Sequence, residues 1–97
     1  MAESSLKITL TFEELCKSFR LSDTVVIELV ELHLLFPEGK SREEWRFDEL
    51  NLRRARIAAN LHRDLEINTQ GIALVVELLE RIDQLESDLN RLQKLFR

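Results

Sequence analysis

Apolar and polar positions change their period repeatedly along this chain. Leu6-Lys7-Ile8-Thr9-Leu10 alternates, which predicts a short strand with one buried face. From Phe12 the apolar positions step by three and four. Phe12, Leu15, Cys16 and Phe19 share one face of a helix running from Phe12 to about Phe19. Thr11 and Glu14 have the spacing of a capping box at its start: the hydroxyl caps the helix and the carboxylate reaches back. Ser22 provides a second cap, with Asp23 at the positive end of a second helix expected to reach about Leu34. Two short helices joined by a tight turn form a helix-turn-helix candidate.

Phe36-Pro37-Glu38-Gly39-Lys40 is the one Pro/Gly cluster and predicts a loop. Trp45-Arg46-Phe47 alternates again, so a hairpin-like wing is expected to pair with the strand at 6–10 in a small sheet. Trp45 and Phe47 then point to the same side and pack the wing on the core. Asp48 caps a third helix from Glu49 to about Leu65, with Leu50, Ile57, Ala58, Leu61 and Leu65 on its inner face. Asn68 opens a fourth helix that continues towards the end of the chain. Along it Val75, Leu78, Ile82, Leu85, Leu89, Leu92 and Phe96 recur as the a and d positions of about three heptads, widened by Leu79 and Leu95. Such a stripe on a helix projecting from a small domain needs a partner, and a second copy is the simplest one. The expected organisation is one compact unit: a winged helix-turn-helix-like domain over 1–67 and a dimerisation helix over 68–97. The fold class is mainly α.

Composition narrows the picture. The 97 residues carry 18 acids and 14 Lys plus Arg, a net charge of -4, which argues against a general nucleic-acid binder. The imbalance lies in the first half. Residues 1–50 hold eleven acids and six bases, whereas 51–97 hold seven acids and eight bases. One cysteine excludes an internal disulfide and suits a reducing compartment. No apolar run reaches the length of a membrane span, and Met1-Ala2-Glu3-Ser4-Ser5 lacks the regions of a signal peptide. A cytoplasmic location is expected.

The order strand, helix-turn-helix, wing, helix, coiled coil resembles the DNA-binding half of a MerR-type regulator with its dimerising helix. The residues carrying this are Thr11-Phe12-Glu13-Glu14-Leu15, Leu34-Leu35-Phe36-Pro37 and Trp45-Arg46-Phe47-Asp48. The chain more closely resembles the CbpM chaperone-modulator family, through Trp45-x-Phe47-Asp48, Arg56, Leu61, Gly71-Ile72-Ala73-Leu74 and the leucine-spaced tail. That resemblance implies a non-enzymatic regulator that binds the J-domain of a CbpA-type, DnaJ-like co-chaperone. It also implies inhibition of the co-chaperone's activity towards DnaK and of its DNA binding. The MerR likeness implies an antiparallel tail-to-tail dimer. The alternative is a MerR-type transcription regulator lacking an effector domain.

Charge bears on the choice. A DNA-reading helix needs Arg, Lys, Asn or Gln towards base edges and cations towards phosphates. At 100° per residue, Thr24, Glu28 and Glu31 form one polar stripe on helix two, with Ile27 at its edge. This helix carries acids and no cation, so the counterion-release term that supplies most DNA affinity is missing. The wing's Lys40, Arg42 and Arg46 are offset by Glu38, Glu43 and Glu44. Direct DNA binding by this face is therefore not expected. J-domains, by the same family resemblance, present a basic second helix, for which an acidic stripe is the electrostatic complement. Asp23, Thr24, Ile27, Glu28 and Glu31 are the candidate partner-binding residues; the bland alternative is a solvated helix face. What favours docking is the width of helix two's apolar arc, Val25, Val26, Ile27, Leu29, Val30, Leu32 and Leu34, which exceeds one core face.

Other residues carry less. Arg53, Arg54, Arg56, His62 and Arg63 on helix three form a second candidate surface, for an acidic protein or nucleic acid; the favoured reading is a solvated face paired with Glu49, Asp64 or Glu66. Cys16 reads as a structural core thiol. His33 and His62 lack zinc-ligand spacing, and His33 reads as a boundary residue of helix two. Neither a phosphate-cradling loop nor a Ser/His/Asp set is present, so no catalytic residue, cofactor or metal is expected.

Overall fold

The computed structural model describes residues 8–96, and helices dominate it. They are α1 (Phe12–Phe19), α2 (Asp23–Glu31), α3 (Glu49–Leu65) and α4 (Thr69–Leu95). Each begins at the cap its sequence predicts. Thr11 accepts from the Glu14 N–H while Glu14 accepts from the Thr11 N–H, closing the capping box. Ser22, Asp48 and Asn68 accept from the backbone N–H three residues on.

The helix ends are less conventional. Arg20, His33 and Glu66 all take left-handed backbone angles, with φ of 55°, 63° and 53°. This is a conformation that glycine adopts most cheaply. At the first two, the chain turns through a Schellman reversal. The Arg20 and Leu21 N–H groups donate to the Lys17 and Cys16 carbonyls, and those of His33 and Leu34 donate to Val30 and Leu29. The second reversal ends α2 at Glu31, three residues short of the expected Leu34. The reason is that Leu34 and Leu35 leave the helix to enter the core, where both are buried.

The small sheet expected from the wing does not form: among the described residues there is no strand, only two isolated antiparallel bridges, Leu10 with Phe47 and Glu38 with Arg46. Leu6 and Lys7 of the expected strand lie outside the described residues. Adjacent residues of an extended segment turn their backbone groups to opposite sides. Phe47 therefore exchanges two hydrogen bonds with Leu10 (2.8 and 2.9 Å), and Arg46 exchanges two with Glu38 on its other side (2.9 and 3.0 Å). Neither pairing extends into a ladder. Side chains still fasten the wing. Phe47 is fully buried, and Trp45 meets the rings of Phe12 and Phe47 edge-on at 5.8 and 6.0 Å.

The core gathers Phe12, Leu15, Leu21, Val26, Leu29, Leu34, Leu35, Phe47, Ala55, Ala58, Ala59, Ile72 and Val76. On α3 the buried positions are Asn51, Ala55, Ala58 and Ala59. Leu50 and Leu65, expected inside, are exposed, while Ile57 and Leu61 are half-buried against the core. Small alanines let helices approach closely and keep interior density, so α3 turns that face inward. Asn51 is the buried polar residue of α3. Its amide accepts from the Phe36 N–H (2.7 Å) and donates to the Phe36 carbonyl (3.2 Å), fixing the loop after α2 as a partner strand would.

Candidate docking surfaces

The polar stripe of α2 forms, with its middle in solvent. Asp23, Thr24 and Glu31 are exposed, Val26 and Leu29 are buried on the opposite side, and Val25 and Val30 are half-buried. The two remaining candidates are engaged with the body. Ile27 is half-buried and packs against the core. Glu28 is half-buried and its carboxylate accepts from the Thr69 hydroxyl at 3.0 Å, tying α2 to the first turn of α4. The stripe is therefore centred on Thr24 and Glu31, with Glu28 as its edge against α4. Thr69, buried and remote in sequence, gave no signal of this contact.

The broad apolar arc of α2 is largely consumed by the fold. Val25, Ile27 and Val30 pack against the core, so the free apolar surface lies elsewhere.

It lies on α4. Thr69, Ile72 and Val76 are its buried residues, and from Glu77 onward no residue of the helix is buried. Leu74, Leu78, Ile82, Leu85, Leu89 and Leu92 are between 49% and 57% exposed, and Phe96 beyond them is 85% exposed. Val75 is half-buried. At 100° per residue the exposed stripe lies on the other side of the helix from Ile72 and Val76, about 100–180° around the wheel. The helix thus has one apolar face committed to its own domain and a second, unsatisfied one running its length. A continuous apolar strip of this kind is a candidate interface.

The arginines of α3 do not act as one solvated group. Arg54 leaves the expected pairings and joins Glu80 of α4. Its Nε and one Nη each donate to a carboxylate oxygen at 2.8 Å, and its other Nη donates to the Leu34 carbonyl at 2.8 Å. Its guanidinium also lies 5.5 Å from the centre of the Phe36 ring. Of the expected local pairs only Arg63 with Asp64 forms, at 3.8 Å.

Cys16 is half-buried and faces Asp23. Burial first, and the hydrogen bond and charge of Asp23 second, push its thiol up to about 11. Such a thiol is a poor nucleophile at neutral pH. Among the described residues no His, Cys, Asp or Glu cluster could hold a metal ion, and no helix is long and apolar enough to cross a membrane.

Comparison with known proteins agrees with this architecture. A family profile of MerR HTH family regulatory proteins matches residues 10–94. The chain is 45% identical over 85 residues to the chaperone modulatory protein CbpM of Coxiella burnetii strain Dugway 5J108-111, covering 88% of this chain and 80% of that one. It is 37% identical over 91 residues to CbpM of Pseudomonas putida strain W619, covering 94% and 90%. CbpM of Pseudomonas entomophila strain L48 matches at the same identity and coverage. These relatives are named as modulators and not as enzymes.

Proposed function

The chain belongs to the MerR-like helix-turn-helix family and, within it, to the CbpM chaperone modulators; from that premise we propose that it is a non-enzymatic modulator that binds the J-domain of a CbpA-type co-chaperone. It docks the basic second helix of the J-domain on the acidic face of α2, through Asp23, Thr24, Ile27, Glu28 and Glu31. Covering that helix denies it both to the DnaK-type chaperone and to DNA, so co-chaperone and DNA-binding activities fall together. The observation that carries the docking reading is the charge of α2: Asp23, Glu28 and Glu31 with no Lys or Arg, and Asp23 and Glu31 exposed. Opposite potentials steer such an encounter and set its orientation. The half-buried Glu28 serves at the margin, where its bond to Thr69 holds the carboxylate in place.

The body, residues 1–67, carries the docking face, and residues 68–97 supply a helix for homodimerisation. Val75, Leu78, Ile82, Leu85, Leu89, Leu92 and Phe96 face the second copy. Apart from the half-buried Val75 they are exposed, and that supports this, because a helix in water does not sustain such a stripe uncovered. The proposed setting is the cytoplasm, where the lone thiol stays reduced.

The test is titration of a purified J-domain by calorimetry. Thr24→Lys with Glu31→Lys puts two cations at the centre of the stripe and touches no hydrogen bond of the fold. Binding at least about tenfold weaker, equivalent to about 1.4 kcal/mol, is expected; unchanged binding in the folded variant sinks the acidic-face reading. The runner-up, a DNA-binding regulator without an effector domain, is favoured only by the family profile. It requires salt-sensitive binding to a palindromic duplex, and an empty gel shift at low salt removes it.

A further inference from the structure

A second charged surface lies away from the acidic stripe. The end of α1 and the outer side of α3 enclose a groove of about 360 Å³ in which Arg20, Arg56 and Arg63 converge. Among the described residues no acidic one lines it; Ser18 and Asn60 add polar groups and Phe19 an aromatic wall. Among the described residues, Arg20 and Arg56 have no ion pair or side-chain hydrogen bond. Arg63 is steadied by donating to Asn60 Oδ1 at 3.2 Å, and its one acidic neighbour, Asp64, stands 3.8 Å away. Three guanidiniums around one recess repel each other, and an anion between them relieves that. In a chain of net charge -4, such a cluster is a local reversal of the general field.

The arginine that closes the groove is held there by backbone geometry. Arg20 sits in the left-handed conformation at the end of α1 (φ 55°, ψ 43°), where its N–H donates to Lys17 and that of Leu21 to Cys16. A side chain at such a position is less favourable than glycine. The reversal fixes where the guanidinium departs, opposite the row Arg56, Asn60 and Arg63 on α3, whose spacing of four and three places them on one side of that helix.

We propose that this groove is a docking site for an acidic, Asp- or Glu-rich segment of a protein partner, separate from the acidic face of α2. Guanidinium forks match carboxylates in paired, planar hydrogen bonds. A recess of this size takes two or three such side chains, with their methylene stems against Phe19 and Ala59. A nucleic-acid backbone fits less well. It needs cations in a long track to release enough counterions, and here the cations surround one recess, with Asp64 and Glu66 next along the chain. A partner with both a basic helix and an acidic segment would then engage the two surfaces by opposite charges.

The experiment is an anisotropy titration of the full chain with a fluorescein-labelled octaglutamate peptide at low salt. Saturable binding is expected, with R20Q/R56Q weakening it at least about tenfold and K40Q/K94Q, two cations outside the groove and off the row on α3, changing it by about twofold or less. R56Q/R63Q leaves α1 intact and must reproduce the loss with unchanged far-UV circular dichroism, which separates the groove from a folding defect. Absence of saturable binding overturns the proposal. So does an equal loss in both charge-matched variants, which would mean net charge alone is sensed. Displacement of the peptide by inorganic phosphate or oligothymidylate at lower concentration than by unlabelled peptide also overturns it, because the groove would then select phosphate.

Discussion

Replacing Arg54 by Met would probe the junction that locks the three later segments of the fold. Arg54 ties α3 to Glu80 of α4 through two hydrogen bonds and to the Leu34 carbonyl in the turn after α2, all at 2.8 Å. Methionine keeps most of the aliphatic stem, so the change removes chiefly the charge and its donors. The Arg54 side chain is 18% exposed and that of Glu80 38%. Glu80 can therefore recover water, and after discounting for screening its part of the loss is about 1 kcal/mol. The Leu34 carbonyl belongs to a residue only 2% exposed, and an unsatisfied buried acceptor costs about 1–3 kcal/mol. The contact with Phe36, an exposed ring, adds about 0.5 kcal/mol. The sum is about 3 kcal/mol, or a fall in Tm on the order of 10–20 °C for a domain of this size. Urea unfolding followed by far-UV circular dichroism measures it, at one fixed protein concentration because self-association shifts apparent stability. Glu80→Gln should cost about 1 kcal/mol, and a double-mutant cycle should leave a coupling of the same size. If Arg54→Met costs under about 0.5 kcal/mol, or no more than Glu80→Gln, the Leu34 carbonyl is not the dominant partner and the reasoning fails.

Three further outcomes are expected. Leu85→Asp with Leu89→Asp puts charges in the middle of the exposed stripe and should yield a monomer by light scattering, with the helical content of residues 8–76 retained; a surviving dimer would show that the tail is used otherwise. Gly71→Ala places a methyl group 2.6 Å from Ile67 Cγ2 and 3.2 Å from the capping Asn68 Oδ1. Ile67 is packed against the core, so the gain of up to about 1 kcal/mol in helix propensity should be lost and the variant should melt below the parent; a raised Tm would show that Ile67 yields freely. Cys16, with its thiol pushed up to about 11, should react with iodoacetamide at pH 8 roughly tenfold more slowly than in the urea-unfolded chain, since a hundredfold smaller thiolate fraction is partly offset by greater nucleophilicity. The same shift means that the thiol's contribution to stability is full below its ordinary value of 9.0 and declines as pH rises from there towards 11.

The limits of sequence reasoning show in particular residues. Thr11, Ser22, Asp48 and Asn68 announced four helix starts, because a cap is a contract between residues three apart. The heptads of α4 were equally legible, as an exposed stripe needs nothing but its own helix to be recognised. The end of α2 was not. His33 carries no glycine-like signal, and its left-handed turn exists because burying Leu34 and Leu35 outweighs the local strain. Nor could the chain say which face of α3 turns inward, since Leu50 and Leu65 follow the apolar pattern as well as Ala55 and Ala59 do. Close packing selected the alanines.

Sequence by itself therefore determined the helices, their caps, the acidic character of α2 and the apolar stripe of α4, all properties of neighbours along one chain. Tertiary structure decided which charges remained free to act. It bound Glu28 to Thr69 across 41 positions and Arg54 to Glu80 across 26, and it gathered Arg20 with Arg56 and Arg63 from separate helices. Such choices turn on distance and burial, because an ion's worth depends on what surrounds it once water is excluded.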